Sequence, residues 1–574
     1  MYYYSPAGSS LDLGYTTSVS PTYHHSLVFD GTTGLAKNWT SGEPKHPIEV
    51  LMERGQKKWE RMLRRQSKSL SEAVQTYRNR YHRDPPKGFE IWYQWARDHN
   101  VTFIDDYDQV FRDTHLFYAL SPTEFRKRRD ESVAESYPSN LHLGPNTPVK
   151  VDGGNPNFRG HALGELLQDL RHLLPDEVVL AGSTHDLGST MMGDDQRQYL
   201  ETKIAAGEYV DPHDEAFKRL EWNLRHGDRG QTGQASSCPE DSPAWIEDAK
   251  RYEREGGPIK GPAPPSFIFD QRMSDDFCYN PDLLKFHGGL SYHYPKGPKM
   301  RPMFHQSKYL SAPEFLLTPL DFYKDPADPR NRHLSLSWDE KTENRLQWRG
   351  MTTGDFYSVR NGYDWHNSHR IRLHRLTHDK DGDIGIYVKG RRTNTWEWQT
   401  WQKEMINKAY MDIGLVDGAH QCDKKDGSCD AINHEIDWMP RMDPEQAVKY
   451  KCEIDLFDGN GWSSRFQRLL LSGSVVLKST IYAEWFSDWL VPWYHYVPVQ
   501  VSYSELYVIL SFFIGAPRTP STGHDHLAEK IGNHGREFAQ NFWRREDMQS
   551  YMFRLLLEYI RLGQDDRESW SYTA

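Results

Sequence analysis

The sequence predicts an α/β protein, in which helices alternate with short buried strands that end in loops. Three stretches carry this prediction. One places a helix (His161 to Leu174), a proline break and a strand (Glu177 to Ala181) in succession. A second, Leu346 to Gly354, begins as a strand and ends in a loop of glycine and threonine. In the third, a helix from Arg465 to Leu471 precedes an apolar, β-branched strand from Ser474 to Lys478.

The bulk composition is that of a globular protein with polar loops. A length of 574 residues is enough for two or three domains with sizeable cores. The formal net charge of -11 argues against a general nucleic-acid binder, so no nucleic-acid partner is expected. Aromatic residues make up 13%, which suits a protein that stacks flat rings on sugars, although most of these rings must belong to the core.

The sequence gives weak evidence about the cellular compartment. No apolar run reaches the roughly 18 to 20 residues that span a bilayer, and the best candidate, Leu506 to Ala516, is too short. Met1 to Tyr4 is followed by a polar stretch rather than by a signal peptide, so any membrane anchor is expected outside these residues. Asn38 and Asn100 begin N-glycosylation sequons, which hint at a secretory compartment, although such triplets also arise by chance.

Five cysteines are few for a secreted protein of this size. Cys422 and Cys429 flank a short polar loop and form one candidate disulfide pair. Cys238 and Cys278 form a second candidate pair, which leaves Cys452 over. No spacing of cysteine and histidine matches a structural zinc site.

Helical periodicity predicts several elements at the two ends of the chain. Residues 1–45 are rich in Ser, Thr, Gly and Tyr, and we expect them to be disordered or loosely packed. From Ile48 to Tyr81 apolar residues recur at helical spacing; the opposite, basic face is expected to be solvated rather than to lie on a membrane. Phe89 to Asp98 is a further helix, and a final amphipathic helix from Arg536 to Leu562 is long enough to pack across both halves.

The stretch from Asp458 to Lys478 has the features of an anion site. It opens with glycines and small hydroxyl residues, which let backbone N–H groups approach a ligand closely. Ser463 or Ser464 is a candidate N-cap of the helix that follows, and a helix start offers free N–H groups and partial positive charge. Arg465 adds a guanidinium fork for phosphate oxygens. The alternative is a capped core helix whose arginine pairs with a carboxylate.

Other predicted strands also end in functional groups. His185 and Asp186 follow the strand that ends at Ala181, so they are placed to face a cleft; the alternative is a turn stabilised by the aspartate side chain. Arg370 and Arg372 would share one face if that segment is extended. The aromatic segment from Tyr482 to Val499 is predicted to be a strand that reaches the cleft edge.

Several segments together resemble one family, glycosyltransferase family 90, which comprises fungal capsule-associated proteins and Rumi-type protein O-glucosyltransferases. The matching segments occur in the family's order and cover about residues 75 to 510. They are Pro85 to Tyr93, Ile104 to Asp108, Cys278 with His287 and Gly288, Trp348 to Gly354, Arg370 to Arg372, Asp458 to Lys478, Glu484 with Trp485, and Pro492 to Pro498.

This resemblance implies a GT-B-like fold, with two Rossmann-like domains facing a cleft, an N-terminal helical extension and a C-terminal helix that packs back. The expected divisions are a loosely packed segment at 1–45, an acceptor-side α/β domain at 46–335, a nucleotide-sugar-binding α/β domain at 336–520 and the returning helix at 521–574.

The resemblance also implies an inverting transfer from a UDP-sugar to a hydroxyl group of a glycan. The sequences of Trp462 to Phe466 and of Ser472 to Lys478 are similar to those of the fungal branch. This similarity implies UDP-xylose as the preferred donor, with UDP-glucose as the second candidate, and a mannose-containing acceptor. No cofactor is required in this interpretation, while the acidic segment Ile104 to Asp108 leaves room for Mn²⁺. The Golgi or ER lumen is the expected location.

An inverting transferase needs a base on the acceptor hydroxyl, and a carboxylate suits that task. In the family the base is an aspartate at the end of a strand in the N-terminal domain, and Asp186 best matches this position. The Pro-Arg that follows the aspartate in the family is missing here. Asp194 and Asp195 are the alternative bases.

The remaining roles concern the departing diphosphate and the donor's hydroxyl groups. Arginines would clamp the diphosphate, Ser, Thr and Gly residues would donate hydrogen bonds, and carboxylates would bind ribose or sugar hydroxyls. The donor-binding residues predicted in this way are Arg349, Gly350, Thr353, Arg372, Asp458, Ser463, Ser464, Arg465 and Glu484.

Two other classes of function remain open on sequence alone. A catalytically inactive protein on the same fold could bind carbohydrate or UDP-sugar, which the altered sequence after Asp186 motivates. A membrane-surface scaffold could instead use the basic helix near residues 53–80.

Overall fold

A computed structural model shows a mixed α/β architecture built on two five-stranded sheets. The structure describes residues 27–39, 42–135, 137–154, 158–188, 190–221, 233–246, 265–291, 299–354, 356–359, 365–390, 392–456 and 461–573.

The strands are short and most contain β-branched or aromatic residues. They are β1 (Val28–Asp30), β2 (Leu35–Lys37), β3 (Ser139–Leu143), β4 (Lys150–Gly153), β5 (Val178–Gly182), β6 (Phe267–Ile268), β7 (Met303–His305), β8 (Phe315–Leu316), β9 (Glu343–Gly350), β10 (Asp383–Lys389), β11 (Trp396–Gln402), β12 (Met411–Leu415), β13 (Tyr450–Leu456), β14 (Val475–Ser479) and β15 (Val497–Pro498).

The α-helices are concentrated at the two ends of the chain and between the strands. They are α1 (Pro47–Arg64), α2 (Leu70–Tyr81), α3 (Phe89–Asp98), α4 (Asp108–His115), α5 (Pro122–Val133), α6 (Phe158–Leu167), α7 (Asp194–Ala206), α8 (Glu215–Leu220), α9 (Pro243–Ile246), α10 (Gln271–Ser274), α11 (Leu283–Phe286), α12 (Gly288–Ser291), α13 (His369–His378), α14 (Lys403–Tyr410), α15 (Ser428–Glu435), α16 (Pro444–Ala447), α17 (Phe466–Leu471), α18 (Leu506–Ile514), α19 (Asp525–Asn541) and α20 (Arg545–Leu562).

The first large sheet has the order β4-β3-β5-β7-β8, with β3 antiparallel to both neighbours and β5, β7 and β8 parallel. The second has the order β12-β9-β13-β14-β15 and is parallel throughout. Because the chain adds β12 on one side of β9 and β13 on the other, the loops that follow β9 and β13 diverge. Ligands of open parallel sheets bind at such a switch point, outside the carboxyl ends of the strands.

The carboxyl ends of the two sheets lie against each other. Lys308, three residues after β7, forms an antiparallel bridge with Ala483, four residues after β14. Backbone hydrogen bonds of 3.1 and 2.9 Å join the two residues in both directions. The loops that end both sheets therefore face a common boundary.

Two apolar cores support this arrangement. The larger one joins the N-terminal helices, the first sheet and α20, whose residues from Asp547 to Leu562 are all buried. The other packs the second sheet against α18, in which every residue is buried. Helix α19 contacts α17 and β14, while α20 contacts α3, α4 and α6, so the C-terminal helices touch both halves.

Several predicted elements are confirmed. Helix α3 has the predicted bounds, and the strands predicted at Glu177 to Ala181, Leu346 onward and Ser474 to Lys478 appear as β5, β9 and β14. The helix predicted from His161 to Leu174 begins three residues earlier and ends at Leu167, before a short 3-10 turn.

The long helices predicted near the two ends are each divided. Ile48 to Tyr81 forms α1 and α2, because Ser69 accepts a hydrogen bond from the Glu72 N–H and starts a second helix. Arg536 to Leu562 is divided after Asn541, and α20 starts where the Asp547 carboxylate accepts hydrogen bonds of 2.9 Å from the N–H and from Nε of Arg544. In both cases a cap overrides a continuous apolar pattern.

The apolar face of α1 is covered by the protein itself. Trp59 is 6% exposed and its ring contacts those of His495 and Phe542 at 4.4 and 5.1 Å between centroids. The buried side of α1, which includes Leu51, Trp59 and Met62, therefore packs within the protein, which argues against the membrane-surface scaffold. No helix within the described residues combines the length and apolarity that crossing a bilayer requires.

The condition under which Arg370 and Arg372 would share one face, an extended segment, is not met, and the strand predicted from Tyr482 to Val499 is wrong for most of its length. His369 to Leu373 lies in α13, where Arg370, His374 and Thr377 are buried at helical spacing. Of the aromatic segment from Tyr482 to Val499, only the two residues of β15 form a strand. Proline at 492 and 498 limits the backbone donors available for a longer ladder.

Part of the N-terminal segment is also better ordered than predicted. Residues 27–39 contain the hairpin β1–β2, and β2 pairs with β6. The side chains of Leu35, Ala36 and Trp39 are buried, so loose packing is the wrong prediction for this part of residues 1–45. Both candidate disulfides, Cys238–Cys278 and Cys422–Cys429, are confirmed, and Cys452 is a buried free thiol.

Candidate active site

The candidate site lies where the loop after β5 meets the loop after β13. Ser307 Oγ donates a hydrogen bond of 2.8 Å to the carbonyl oxygen of Asp186. Gly461 approaches this pair so closely that an added Cβ would lie 2.5 Å from Ser307 Oγ and 3.2 Å from the Asp186 oxygen. The predicted base and the predicted phosphate loop, 275 residues apart in sequence, are thus brought together by the meeting of the two sheets.

An arginine that the sequence did not suggest holds Asp186. Arg159, the second residue of α6, forms an ion pair with Asp186 Oδ1 and donates from Nη1 to the Thr184 carbonyl oxygen at 2.9 Å. Its Nε lies 3.4 Å from Asp321 Oδ2. Burial raises the pKa of the Asp321 carboxyl; the Arg159 guanidinium opposes this shift and the Asp186 carboxylate adds to it.

The alternative bases, Asp194 and Asp195, form local hydrogen bonds in the first turn of α7. Asp194 accepts a hydrogen bond from Gln198 Nε2 at 2.7 Å, and Asp195 accepts one from the Gln196 N–H at 2.8 Å. His185 is exposed, and its N–H donates to Ser183 Oγ at 3.0 Å. The geometry therefore favours Asp186 over Asp194 and Asp195 as the residue that faces the second sheet.

Arg465 lies above the carboxyl ends of β9 and β13. Its Nη1 donates to the carbonyl oxygen of Arg349 at 2.8 Å, so the side chain reaches across the switch point of the second sheet. The helix predicted from residue 465 begins at Phe466, with Arg465 at the N-cap. Arg465 rather than a serine is therefore the N-cap. Ser463 Oγ accepts from the Arg465 N–H at 3.4 Å and donates to Asp455 Oδ1 at 2.6 Å, and Ser464 is half-buried.

Behind Ser463 lies a buried charged cluster that we call the lysine cluster: Asp455, Lys478 and Glu484. Lys478 Nζ lies 3.3 Å from Asp455 Oδ2 and 3.1 Å from Glu484 Oε2. Burial raises the pKa of Glu484 to about 7, despite the adjacent lysine. Glu484 therefore supports the loop from within rather than presenting a solvated carboxylate.

The clamp predicted for Arg349 does not agree with its surroundings. Its Nη2 lies 2.5 Å from Asp412 Oδ1, and its Nη1 donates to the Asp412 carbonyl oxygen at 2.7 Å. Asp412 is in the first half of β12, so this guanidinium points back from the carboxyl end of the sheet. Arg349 therefore forms an ion pair between two neighbouring strands of the same sheet, with 9% of its side chain exposed.

The two arginines at the start of α13 have different surroundings, and the diphosphate role was predicted for Arg372. Arg372 donates to the carbonyl oxygen of Val501 and, at 3.2 Å, to that of Phe286, so it ties down other loops. Arg370, which is fully buried, donates from Nη1 to the Met351 carbonyl oxygen at 3.0 Å and to Thr353 Oγ1 at 2.7 Å. Arg370 is therefore the arginine that contacts the loop after β9.

The loop after β9 is also hydrogen-bonded to residues 416–421, which precede the Cys422–Cys429 disulfide. The Gly354 N–H donates to Gln421 Oε1 at 2.7 Å, and the His420 N–H donates to Thr352 Oγ1 at 2.8 Å. The Gly350 carbonyl oxygen accepts from the Val416 N–H at 2.9 Å. These bonds occupy much of the polar surface predicted to cradle phosphate, while Asp458 lies outside the described residues.

The acidic segment Ile104 to Asp108 is a structural clamp. Asp105 accepts from the N–H and hydroxyl of Ser67, and Asp106 pairs with Arg65 and Arg80. These contacts occupy the carboxylates with which Mn²⁺ was associated on sequence. Within the described ranges, no group of three His, Cys, Asp or Glu side chains is arranged to hold a metal ion.

Sequence reasoning missed Arg159 and Asp321 altogether and chose Arg372 over Arg370. Arg370 lies two residues before Arg372, the arginine that was predicted to bind the donor. Recognising the whole segment 369–378 as a helix would have shown that the two side chains point in different directions. Arg159 carried no local signal, because its partner follows 27 residues later, after a strand.

Comparison with known proteins finds a family model that matches the C-terminal part of the chain. The family model described as "Glycosyl transferase family 90" matches residues 395–568, a range that includes Arg465 and Glu484 but not Asp186. Protein O-glucosyltransferase 1 of Rattus norvegicus is 34% identical over 114 residues, which are 20% of this chain and 27% of the relative.

Two insect proteins give a similar result. O-glucosyltransferase rumi of Drosophila melanogaster is 35% identical over 123 residues, and its homologue in Anopheles gambiae is 36% identical over 121 residues. The match spans 21% of this chain and 28% of each relative, so about a quarter of the relatives' length is covered. The resemblance predicted from sequence is confirmed, since residues 395–568 match the glycosyltransferase family 90 model.

Proposed function

We propose that this protein is an inverting glycosyltransferase that moves a sugar from a UDP-sugar to a hydroxyl group of an acceptor. The observation that carries the proposal is the direct approach of the Asp186 loop to the loop that bears Arg465, through Ser307 and Gly461. A transferase needs a base and a diphosphate site on opposite sides of one sugar. The match to the family over residues 395–568 supports it independently.

The proposed fold is of the GT-B type, with the first sheet on the acceptor side and the second on the donor side. Support comes from the all-parallel second sheet, its switch point at β9 and β13 and the meeting of strand ends from both sheets. The boundaries near residues 45, 335 and 520 stay as proposed from the sequence.

In the proposed mechanism Asp186 accepts the proton of the acceptor hydroxyl as its oxygen attacks the anomeric carbon of the donor. The bond from that carbon to the diphosphate oxygen breaks on the opposite face, which inverts the configuration. Arg465 stabilises the negative charge that develops on the leaving diphosphate, and Arg370 holds the neighbouring loop after β9. The chain's own cations supply this charge stabilisation, and Mn²⁺ stays an open addition.

The donor sugar is proposed to be glucose or xylose. The relatives are named as O-glucosyltransferases, which indicates glucose as the sugar that those proteins transfer, while the sequence pattern around Arg465 suggests xylose. The two sugars differ by one hydroxymethyl group. We propose a glycan or glycoprotein acceptor and a lumenal compartment, with which the two disulfides agree.

The direct test is a UDP-sugar panel with the purified chain. UDP-glucose, UDP-xylose, UDP-galactose and UDP-N-acetylglucosamine are each incubated with mannose-containing oligosaccharides or a folded protein acceptor, and products are identified by mass spectrometry. Transfer from one donor with inverted linkage is expected. Folded protein that binds UDP but turns over none of the donors would instead indicate a sugar-binding protein.

A further inference from the structure

The Asp186 carboxylate does not stand alone in the site but shares a guanidinium with a second carboxylate. Arg159 lies between Asp186 and Asp321, with its Nε 3.4 Å from Asp321 Oδ2 and Nη2 on Asp186 Oδ1. All three side chains are largely buried, with exposed fractions of 13%, 19% and 7% for Arg159, Asp186 and Asp321. Two anions and one cation therefore interact in a poorly solvated place, where each strongly affects the others.

Arg159 is itself held in position from several directions. Its Nη1 donates to the Thr184 carbonyl oxygen in the loop that carries Asp186. The guanidinium carbon lies 5.8 Å from the ring centroid of Trp462, which belongs to the loop after β13. Arg159 thus contacts the loops of both sheets, and it starts a helix that packs on β3 and β4.

We propose that Arg159 is a positioning residue that holds the Asp186 carboxylate in place and keeps it ionised in the presence of Asp321. The inference rests on the proposed function for its activity readout. Without the cation, two neighbouring carboxylates would share a proton, because like charges that are close together disfavour full ionisation. A protonated Asp186 cannot accept the proton of the acceptor.

Other titratable groups face the same loop but have partners of their own. His185 is exposed on the loop itself. Glu314 accepts from the Thr190 N–H at 2.9 Å and lies 3.4 Å from His305 Nε2, while Lys308 Nζ lies 2.7 Å from Asp113. These groups are the same in all the variants below. Differences between the pH profiles of the variants therefore report on Arg159, Asp186 and Asp321.

The activity experiment follows kcat/KM against pH in the full chain with the donor that the UDP-sugar panel identifies. In Arg159→Met the acidic limb of the profile should shift to higher pH by about one unit or more. Arg159→Lys retains the charge, so its limb should stay near that of the unmodified protein, with a lower maximum. Adding Asp321→Asn to Arg159→Met removes the second carboxylate and should move the limb back.

Arg330→Met is the matched control, since Arg330 is an exposed arginine paired with Asp328. Its profile should coincide with that of the unmodified protein. An Arg159→Met variant that loses activity equally at every pH, or whose limb Asp321→Asn does not move back, would overturn the inference and leave Arg159 a purely structural residue.

A second measurement does not require activity. Burial already raises the pKa of Asp321 in the unmodified protein, and loss of the Arg159 charge should raise the pKa values of the carboxyl pair in the folded state further. The variant should therefore lose more stability than the unmodified protein as pH rises through these values. The difference in Tm between the unmodified protein and Arg159→Met should therefore widen from about pH 4 to about pH 8, and the double variant should narrow it. A constant difference overturns the inference, whereas inactivity of the unmodified protein with every donor counts against the proposed function only.

Discussion

At the residue scale the proposed chemistry depends on Asp186, whose backbone is fixed by Ser307 and whose carboxylate is fixed by Arg159. Asp186→Asn keeps the side-chain shape and an oxygen for Arg159 but cannot take up a proton. We expect kcat to fall by roughly 10²- to 10⁴-fold, the usual contribution of a general base. The affinity for UDP, measured by calorimetry, should be unchanged.

Asp195→Asn is the matched control for this substitution. Its Oδ1 accepts a local hydrogen bond from the Gln196 N–H at the start of α7, so activity near that of the unmodified protein is expected. If the Asp195 variant were inactive and the Asp186 variant active, the base would be assigned to the wrong loop.

Arg465 and Arg349 were predicted to share one role, and the structure separates them. Arg465→Ala removes a guanidinium at the strand ends, so we expect weaker UDP binding and a loss of about 2 to 4 kcal/mol in transition-state stabilisation, as for other charge-stabilising donors. Calorimetry with UDP and kcat/KM measure the two effects.

Arg349→Ala breaks the ion pair with Asp412 instead. We expect a lower Tm with little change in the Kd for UDP. A weaker Kd in the Arg349 variant and an unchanged one in the Arg465 variant would contradict the assignment of these two arginines.

These residues also show how far sequence could predict the site. The position of Arg465 beside a strand end followed from a local pattern of glycines, serines and a helix start. The partner of Arg349 lies on a neighbouring parallel strand 63 residues away, and parallel strands are joined only through long crossovers. Local patterns identify the charged side chains, whereas strand order decides which of them are already paired.

At the scale of elements, the carboxylates of residues 104–108 connect α1, α2 and α4 rather than a metal. Asp106 is 3% exposed and pairs with Arg65 and with Arg80, whose side chain is 10% exposed. Asp106→Asn would remove the charge partner of Arg65 and one of two carboxylates paired with Arg80, since Asp108 Oδ2 also lies 3.2 Å from Arg80 Nη2. We expect the free energy of unfolding to fall by about 1 to 3 kcal/mol. Chemical denaturation measures this difference.

Asp98→Asn provides the control, because that carboxylate is exposed and accepts from Gln94 within α3. It should change the free energy of unfolding by less than about 0.5 kcal/mol. A stable Asp106 variant that had lost a response of activity to Mn²⁺ would favour a metal site instead.

Helix α13 carries a buried group that links folding to pH. His374 is 3% exposed and its ring stacks on that of His378 at 3.8 Å between centroids. Burial lowers the pKa of His374 to about 3, and the neighbouring His378 adds to the shift.

Because the folded pKa lies below the unfolded value, His374 stays neutral in the folded protein while the unfolded chain takes up a proton. Its contribution to stability is complete above the unfolded pKa of about 6.5 and is lost as pH falls towards about 3. His374→Phe removes this loss. The stability of the variant relative to the unmodified protein should rise by up to about 1.4 kcal/mol per pH unit on acidification, as measured by urea unfolding at several pH values. A relative stability that does not depend on pH would contradict this account.

Helices were predictable in kind more often than in extent. The apolar spacing of residues 48–81 indicated helix correctly, but the break at Ser67 depends on hydrogen bonds with Asp105, 38 residues later. The strand predicted for the aromatic segment from Tyr482 to Val499 was wrong for a related reason. Its tryptophans are buried by packing between elements, as the 1% exposure of Trp485 and Trp489 shows, rather than by a ladder of strand pairs.

At the scale of the whole molecule, function is proposed to depend on the fit between the two sheets. The α/β class followed from local alternation of helix and strand. The contact between the loop after β7 and the loops after β13 and β14 could not be predicted in this way, since it joins residues more than 150 positions apart. Such a boundary is determined by packing of complete layers, about which a single sequence carries little local information.

Gly461→Ala tests this boundary directly. Gly461 has a φ of +130°, and an added Cβ would lie 2.5 Å from Ser307 Oγ and 3.1 Å from Leu187 Cβ. The loops must therefore move apart, which displaces Asp186 relative to the donor side. We expect a loss of kcat of about 10²-fold, as for misplacements of about 1 Å in other active sites.

Gly382→Ala is the matched control for backbone strain. Gly382 also has a positive φ, of +83°, but an added Cβ would meet only Lys403 Cε at 4.0 Å. Both variants should show a small loss of Tm, and only Gly461→Ala should lose turnover. Ser307→Ala in the Gly461→Ala background removes the closest atom and should restore part of kcat. If both glycine variants retained full turnover, contact between the loops of the two sheets would not control the position of the base.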